Sequence, residues 1–247
     1  VFSKQKLQEI KKMSYGKLYL IPVPLGDNAL HTLPAYLHPI IRSLDTFVVE
    51  KAKTARHFLK MIPEMLPIQT LNLAELNDQT PRANLVELLK PLLEGKNIGL
   101  MSEAGCPAVA DPGAWLVELA HKKGIEVIPL VGPSSILLAI MGSGMNGQSF
   151  TFHGYIANKQ PDLERDLKRL EQNARKFNQS QIFIETPYRN KALIDNALRV
   201  LQTDTSFCIA ADLTLDTQYI VTKSIADWRA TPPPDLHKRA TVFIIGK

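Results

Sequence analysis

Three short segments carry residue types whose spacing could do chemistry. The most informative is Ser102-Glu103-Ala104-Gly105-Cys106-Pro107-Ala108-Val109-Ala110-Asp111-Pro112-Gly113. It leaves the carboxyl end of the apolar stretch Ile98–Met101, where open α/β sheets place their ligands. Its small residues and its Gly and Pro stiffening let a ligand approach backbone N–H and C=O groups closely. Asp111 also reads as the N-cap, and Pro112 as the first residue, of a following helix, which accounts for Asp-Pro-Gly but not for the rest of the loop. The second segment, Val131-Gly132-Pro133-Ser134-Ser135, is a strand-to-helix junction whose free N–H groups and hydroxyls suit a carboxylate or another polar group. A domain hinge with Ser134 as a plain cap is the alternative. The third, Ile21-Pro22-Val23-Pro24-Leu25-Gly26-Asp27, has too few amide donors for a phosphate loop and reads as a stiff apolar wall.

Other constellations are excluded by context. Gly142-Ser143-Gly144-Met145-Asn146-Gly147 spells GxGxxG, but it ends a helix and precedes a strand, the reverse of a dinucleotide loop. No GxxxxGK[ST] loop occurs, and the six histidines show no HxxxH or HExxH spacing, so a metal site is not expected. Glu50, Glu185 and His57 are candidate general bases, and no spacing singles one of them out. Glu185 serves equally as an orienter of Arg189. Lys53, Arg56 and Arg189 are candidate phosphate contacts, with solvated surface cations as the alternative.

The elements that must position these residues follow from periodicity. Strands are predicted at Lys17–Val23, Thr46–Val49, Ile68–Leu71, Asn97–Met101 and Glu126–Leu130, and helices near Leu33–Leu44, Thr54–Met61, Pro81–Leu93 and Gly113–Lys123. Leu85, Leu88, Leu89 and Leu92 fall at i, i+3, i+4 and i+7, one face of a helix. The alternation implies right-handed crossovers and a mostly parallel sheet. After residue 131 strands are predicted at Ser149–His153, Gln181–Glu185, Ser206–Ala211, Tyr219–Ser224 and Thr241–Ile245, several without an intervening helix. Helices are expected at Ser134–Met141, Asp162–Phe177 and Arg189–Leu201. The expected organisation is a basic extension at 1–16, an α/β domain at 17–130 and a second α/β domain with a mixed sheet at 131–247.

A chain of 247 residues with 45% hydrophobic and 21% charged residues can bury a sizeable core, which excludes a disordered tail, a collagen-like rod and a disulfide-dense module. The cysteines, Cys106 and Cys208, are far apart and form neither a disulfide framework nor a zinc ribbon. Cys208, Trp115 and Trp228 read as packing residues. Apolar runs such as Ile136–Met141 are far short of a membrane span, and the first residues do not read as a signal peptide, so a cytoplasmic protein with no membrane association is expected. The net charge is +5, but Lys4, Lys6, Lys11, Lys12 and Lys17 against Glu9 place most of it in the first 17 residues. Any nucleic-acid footprint is therefore a local patch or the tail itself.

Taken together, Tyr19–Asp27, the Ser102–Gly113 loop, Gly132-Pro133-Ser134 and Glu185-Thr186-Pro187-Tyr188-Arg189 stand in the order seen in the tetrapyrrole-methylase superfamily. The chain most resembles its ribosomal small-subunit methyltransferase I branch, whose members 2′-O-methylate a cytidine ribose of 16S ribosomal RNA. The resemblance runs from about Tyr19 to Ile245. It implies S-adenosylmethionine as donor, two α/β domains with the donor in a cleft between them, a homodimer, and RNA of the small ribosomal subunit as partner. It further implies donor contacts at Pro24, Glu103, Cys106, Pro107, Ser134, Ser135, Ala211, Asp212, Ala240 and Thr241. The chain departs from that branch in several places. Glu50-Lys51-Ala52-Lys53 replaces Glu-Asp-Thr-Arg, Glu103 and Cys106 replace Asp and Thr, Tyr188 stands for His, and Ala211-Asp212-Leu213-Thr214-Leu215 replaces Arg-Glu-Leu-Thr-Lys. Two further readings are a methylase of the same fold with a tetrapyrrole-like acceptor, and a non-catalytic RNA- or ligand-binding relative.

Overall fold

A computed structural model describes residues 15–247. The reading of a basic N-terminal extension falls almost wholly outside them. Two compact units are present among the described residues: one takes in residues 15–24 together with Leu30–Pro133, the other Leu25–Ala29 together with Ser134–Lys247.

In the first unit the elements are β1 (Leu18–Leu20), α1 (Leu37–Arg42), β2 (Thr46–Val49), α2 (Ala52–Met61), β3 (Asn72–Glu75), α3 (Leu85–Leu93), β4 (Ile98–Met101), α4 (Gly113–Lys122) and β5 (Val127–Pro129). The sheet order is β3-β2-β4-β1-β5 and every pairing is parallel. Parallel strands buried on both faces read as continuous apolar runs, because alternate side chains supply two cores. Phe47 and Val49 pack with Leu37, Ile41, Phe58 and Leu59 on one side, while Val48 joins Leu85, Leu89, Leu92 and Leu116 on the other. β1 and β4 are neighbours, so the loops that follow them emerge side by side at the carboxyl edge of the sheet.

Several predicted boundaries move. The third strand is not at Ile68–Leu71: Ile68–Thr70 is a 3₁₀ turn and the strand begins at Asn72. Thr70 donates both its amide (2.8 Å) and its hydroxyl (2.7 Å) to the Pro67 carbonyl, a local closure that β-branched composition concealed. Prolines shorten other elements. α1 starts only at Leu37, after Pro34, and β1 stops at Leu20 ahead of Pro22 and Pro24. Arg82–Asn84 form a 3₁₀ turn before α3.

The second unit contains α5 (Ser135–Ser143), β6 (Phe150–Tyr155), α6 (Asp162–Phe177), β7 (Ser180–Ile184), α7 (Asn190–Val200), β8 (Ser206–Ala211), β9 (Tyr219–Ser224), α8 (Ile225–Ala230) and β10 (Thr241–Gly246). Its sheet, β6-β7-β10-β8-β9, is mixed: β6 and β7 are parallel and the other pairs antiparallel. Phe243 and Ile245 face α6, α7 and Trp228, whereas Val242 and Ile244 face Ala139 and Ile140 of α5. The glycine-rich stretch 142–147 stops α5, with Gly144 left-handed at φ 70° as its C-cap. α8 went unpredicted although Ser224 and Asp227 form its N-terminal cap: the Ser224 hydroxyl accepts from the Asp227 amide at 3.0 Å and donates to its carboxylate at 2.7 Å. That helix buries Trp228, whose indole N–H donates to the Phe207 carbonyl at 2.7 Å.

Candidate functional site

The Ser102–Gly113 loop in the first unit is pinned at four points. Gly105 exchanges two 2.9 Å backbone hydrogen bonds with Val23, joining the loop after β4 to the segment after β1 just ahead of buried Pro24. The Glu103 amide donates to the Glu50 carboxylate at 2.9 Å. Asp111 accepts from the amides of Ala108 (2.9 Å) and Gly113 (2.7 Å). The Cys106 thiol donates to the Pro133 carbonyl at 3.5 Å, reaching the junction after β5. That junction is itself tight, since a Cβ on Gly132 would lie 2.2 Å from the Pro22 side chain. Only glycine fits there.

The helix after this loop starts at Gly113, with Pro112 rather than Asp111 in the flanking position. The Asp111 carboxylate still accepts from the Gly113 amide, so it closes the loop onto the helix. Its second oxygen is buried without a partner, and burial pushes its pKa above the ordinary aspartate range. Burial likewise raises the thiol of Cys106. Ala108 and Ala110 are left-handed at φ 65° and 64°, a conformation alanine avoids, and such strain persists only where surrounding contacts impose it. The result is a rigid wall with Ala104, Val109 and Ala110 exposed and Pro107 buried behind it.

Glu103 turns its carboxylate toward α2, accepting from the Thr54 hydroxyl at 2.7 Å with the Lys51 ammonium at 3.9 Å. Lys53, Arg56 and His57 lie on α2 with Lys60, all exposed. Among the described residues Lys53, Arg56 and Lys60 form no ion pair.

In the second unit the structure brings Ala211, Asp212, Ala240 and Thr241 together. Ala211 pairs with Thr241 in the β8–β10 ladder, and the Asp212 amide donates to the Ala240 carbonyl at 2.9 Å. Asp212 is left-handed at φ 49° and its carboxylate accepts from Arg239 Nε (2.7 Å) and the Thr217 hydroxyl (2.9 Å). Thr214, two residues on, has φ 74° and a buried hydroxyl with no partner. Ser134 caps α5, accepting from the Leu137 amide at 3.5 Å, and Ser135 opens the helix. Glu185, 6% exposed, accepts from the Thr186 amide at 2.6 Å and from Arg189 Nη1 at 3.4 Å.

Asn190 was not legible from sequence. Fully buried at the start of α7, its amide donates to the carbonyls of Leu236 (2.9 Å) and Arg239 (2.8 Å) and to the Thr241 hydroxyl (3.0 Å), fixing the chain that leads into β10. Nothing in composition separates such an asparagine from an exposed one. Arg239 was missed for the same reason. Among the described residues no group of His, Cys, Asp or Glu is arranged to hold a metal, and no helix is long and apolar enough to cross a membrane.

An all-parallel unit with a glycine- and proline-stiffened loop after its fourth strand, and a mixed-sheet unit beside it in sequence, define a class. The profile of the Tetrapyrrole (Corrin/Porphyrin) Methylases matches residues 17–228, and the chain belongs to that family of methyltransferases. Among curated relatives, Ribosomal RNA small subunit methyltransferase I of Vibrio cholerae serotype O1 is 31% identical over 198 residues, 80% of this chain and 65% of the relative. The chain thus spans just under two thirds of that protein. The protein of the same name from Leptospira biflexa is 28% identical over 95% of this chain and 92% of its own. Among solved structures, the methyltransferase CobJ superposes with TM-score 0.63 at 18% identity, covering 94% of each chain. Cobalt precorrin-4 methyltransferase CbiF gives 0.59 at 13% identity over 96% of this chain and 98% of its own. These likenesses establish the fold.

Proposed function

We propose that this chain transfers a methyl group from S-adenosylmethionine to a ribose hydroxyl of small-subunit ribosomal RNA. The observation that carries the reading is the Ser102–Gly113 loop, pinned into a strained wall at the sheet edge, in a chain whose relatives are named as small-subunit ribosomal RNA methyltransferases. A neighbour of the same fold, a uroporphyrin-III C-methyltransferase, is solved with S-adenosyl homocysteine. Bound to the protein, S-adenosylmethionine supplies an electrophilic methyl group on a sulfonium.

The residues fit such a donor. The first unit offers the exposed backbone of Ala104, Val109 and Ala110, with Glu103, Cys106, Pro107 and Pro24 forming and backing the wall. The second offers Ser134 and Ser135 at a helix N-terminus, the Ala211–Asp212 and Ala240–Thr241 backbone, and the unpartnered Thr214 hydroxyl. The chain's part in catalysis is to hold donor and acceptor in line and exclude water, worth up to about 7–11 kcal/mol of the barrier. Glu50 and Glu185 act by shaping, Glu50 through the loop and Glu185 through Arg189. Lys53, Arg56 and Arg189 meet phosphates. The setting is the cytoplasm, and the chain works as a homodimer. Leu137 and Met141, 52% and 77% exposed on α5, form an apolar strip that a second copy would cover.

The test is incubation with methyl-labelled donor and small ribosomal subunits, followed by mapping of the label. Label on a ribose of the rRNA is expected. Label only on a low-mass acceptor from cell extract would favour the tetrapyrrole-like alternative, and donor binding without any transfer would favour the non-catalytic one.

A further inference from the structure

Resting on that reading, we infer that Tyr188 is a stacking platform for an unpaired base of the RNA. The Glu185-Thr186-Pro187-Tyr188-Arg189 segment leaves β7 as a 3₁₀ turn, and Tyr188 sits at its apex with 68% of its surface exposed. A lone exposed aromatic needs no explanation. This one is held and flanked. The turn is closed from below by the Arg189 amide on the Thr186 carbonyl (2.8 Å) and by buried Glu185. It is tied sideways by the Lys238 amide on the Pro187 carbonyl at 3.2 Å. Lys238 is left-handed at φ 63° and precedes Arg239, which Asp212 fixes.

The neighbours of the ring are those a nucleotide would require. His237 meets Tyr188 edge-on, with centroids 5.7 Å apart and planes at 73°. The Lys238 ammonium lies 5.9 Å from the ring centroid and, among the described residues, has no carboxylate partner. Arg189 follows directly, its guanidinium half exposed beside Glu185. Of the acids near it in sequence, Glu185 is buried and engaged with Arg189, and Asp235 accepts from the His237 amide at 2.9 Å. An exposed aromatic ring with the Lys238 ammonium over it and Arg189 next in the chain serves a base that stacks on the open part of the ring while its phosphates meet Lys238 and Arg189. A duplex hides its base faces, so the partner is a single-stranded or splayed nucleotide, as access to a ribose within folded RNA also demands.

The experiment compares the full chain with Tyr188→Ala, Tyr188→Phe and Lys238→Ala. Its probes are a single-stranded RNA carrying 2-aminopurine and methyl transfer to small ribosomal subunits. Wild type and Tyr188→Phe are expected to quench the fluorophore. Tyr188→Ala should lose the quench and bind ~10-fold more weakly, with its salt dependence unchanged. Lys238→Ala should keep the quench but lower the slope of log K against log salt by about 0.7. S-adenosylhomocysteine affinity should be equal in all four, which controls for folding. Wild-type RNA affinity and quenching in Tyr188→Ala, with rRNA methylation by wild type intact, would overturn the platform alone. Absence of both RNA binding and rRNA methylation in wild type would overturn the platform together with the function it rests on.

Discussion

The carboxylate of Glu50 accepts the amide proton of Glu103 at 2.9 Å, so the residue just after β2 organises the loop that follows β4. A solvent-exposed, charge-assisted bond of this kind contributes up to about 1 kcal/mol, or roughly 5-fold in the affinity of anything the loop holds. Glu50→Ala should weaken S-adenosylhomocysteine binding by that factor in calorimetry, while Glu50→Gln, which keeps an acceptor, should lose less. If Glu50 were instead the base, Glu50→Gln would abolish turnover at unchanged donor affinity.

Cys106 is the loop residue whose chemistry can be followed directly. Burial raises its thiol pKa, and raises that of Cys208 further, to about 11. Maleimide at neutral pH should therefore label Cys106 slowly and Cys208 only on unfolding. S-adenosylhomocysteine should protect Cys106. Cys106→Trp should fold and lose donor binding; full affinity in that variant would place the donor elsewhere.

Much of this arrangement was legible in the sequence, and the parts that were not share a cause. Thr46–Val49, Ser206–Ala211, Tyr219–Ser224 and Asp162–Phe177 matched their predicted bounds because each has an unbroken periodicity with a polar or turn-forming boundary. The 3₁₀ turn at Ile68–Thr70 did not, because a β-branched run at a sheet edge was diverted by the Pro67 carbonyl. In the site, the loop's backbone character was visible from its small residues. The partners that hold the candidate residues were not: Glu50 with Glu103, Asp212 with Arg239 and Asn190 with Thr241 are 53, 27 and 51 residues apart. Local pattern carries no information about such pairs.

Asp111 makes stability depend on pH in a defined direction. Its folded-state pKa is raised, chiefly by burial, so folding favours its protonated form. Its contribution is therefore most favourable below the ordinary aspartate value near 3.9 and is lost as pH rises through the folded value. The stability of wild type relative to Asp111→Asn should fall over that interval and then level off. Denaturant titrations of both proteins from pH 3.5 to 7 would show it; parallel curves would refute it.

The Asp212–Arg239 pair, 2.7 Å apart with side chains 13% and 23% exposed, holds the Asp212 backbone at φ 49°. Alanine there loses the ion pair and keeps the strain, at a cost of about 2–3 kcal/mol. Asparagine tolerates the left-handed conformation and keeps an acceptor, so it should lose about half as much. For a chain of this size these correspond to thermal midpoints lowered by ~5–10 °C and ~2–5 °C. Equal losses would mean that the backbone conformation is not what Asp212 secures.

On the proposed function, variants of the exposed cations of α2 should separate RNA binding from donor binding. Lys53, Arg56 and Lys60 project from a helix that carries no acidic residue between Ala52 and Met61, and among the described residues none has an ion-pair partner. Each phosphate neutralised on a single strand releases counterions and steepens the salt dependence by about 0.7 in log K against log salt. The double variant Lys53→Ala, Arg56→Ala should therefore flatten the slope for small-subunit RNA by about 1.4, weakening binding most at low salt. Donor affinity should stay at the wild-type value, because Thr54, whose hydroxyl donates to Glu103 of the Ser102–Gly113 loop, is retained. A slope identical to wild type would remove α2 from the RNA footprint and leave the phosphate contacts to Arg189 and Lys238.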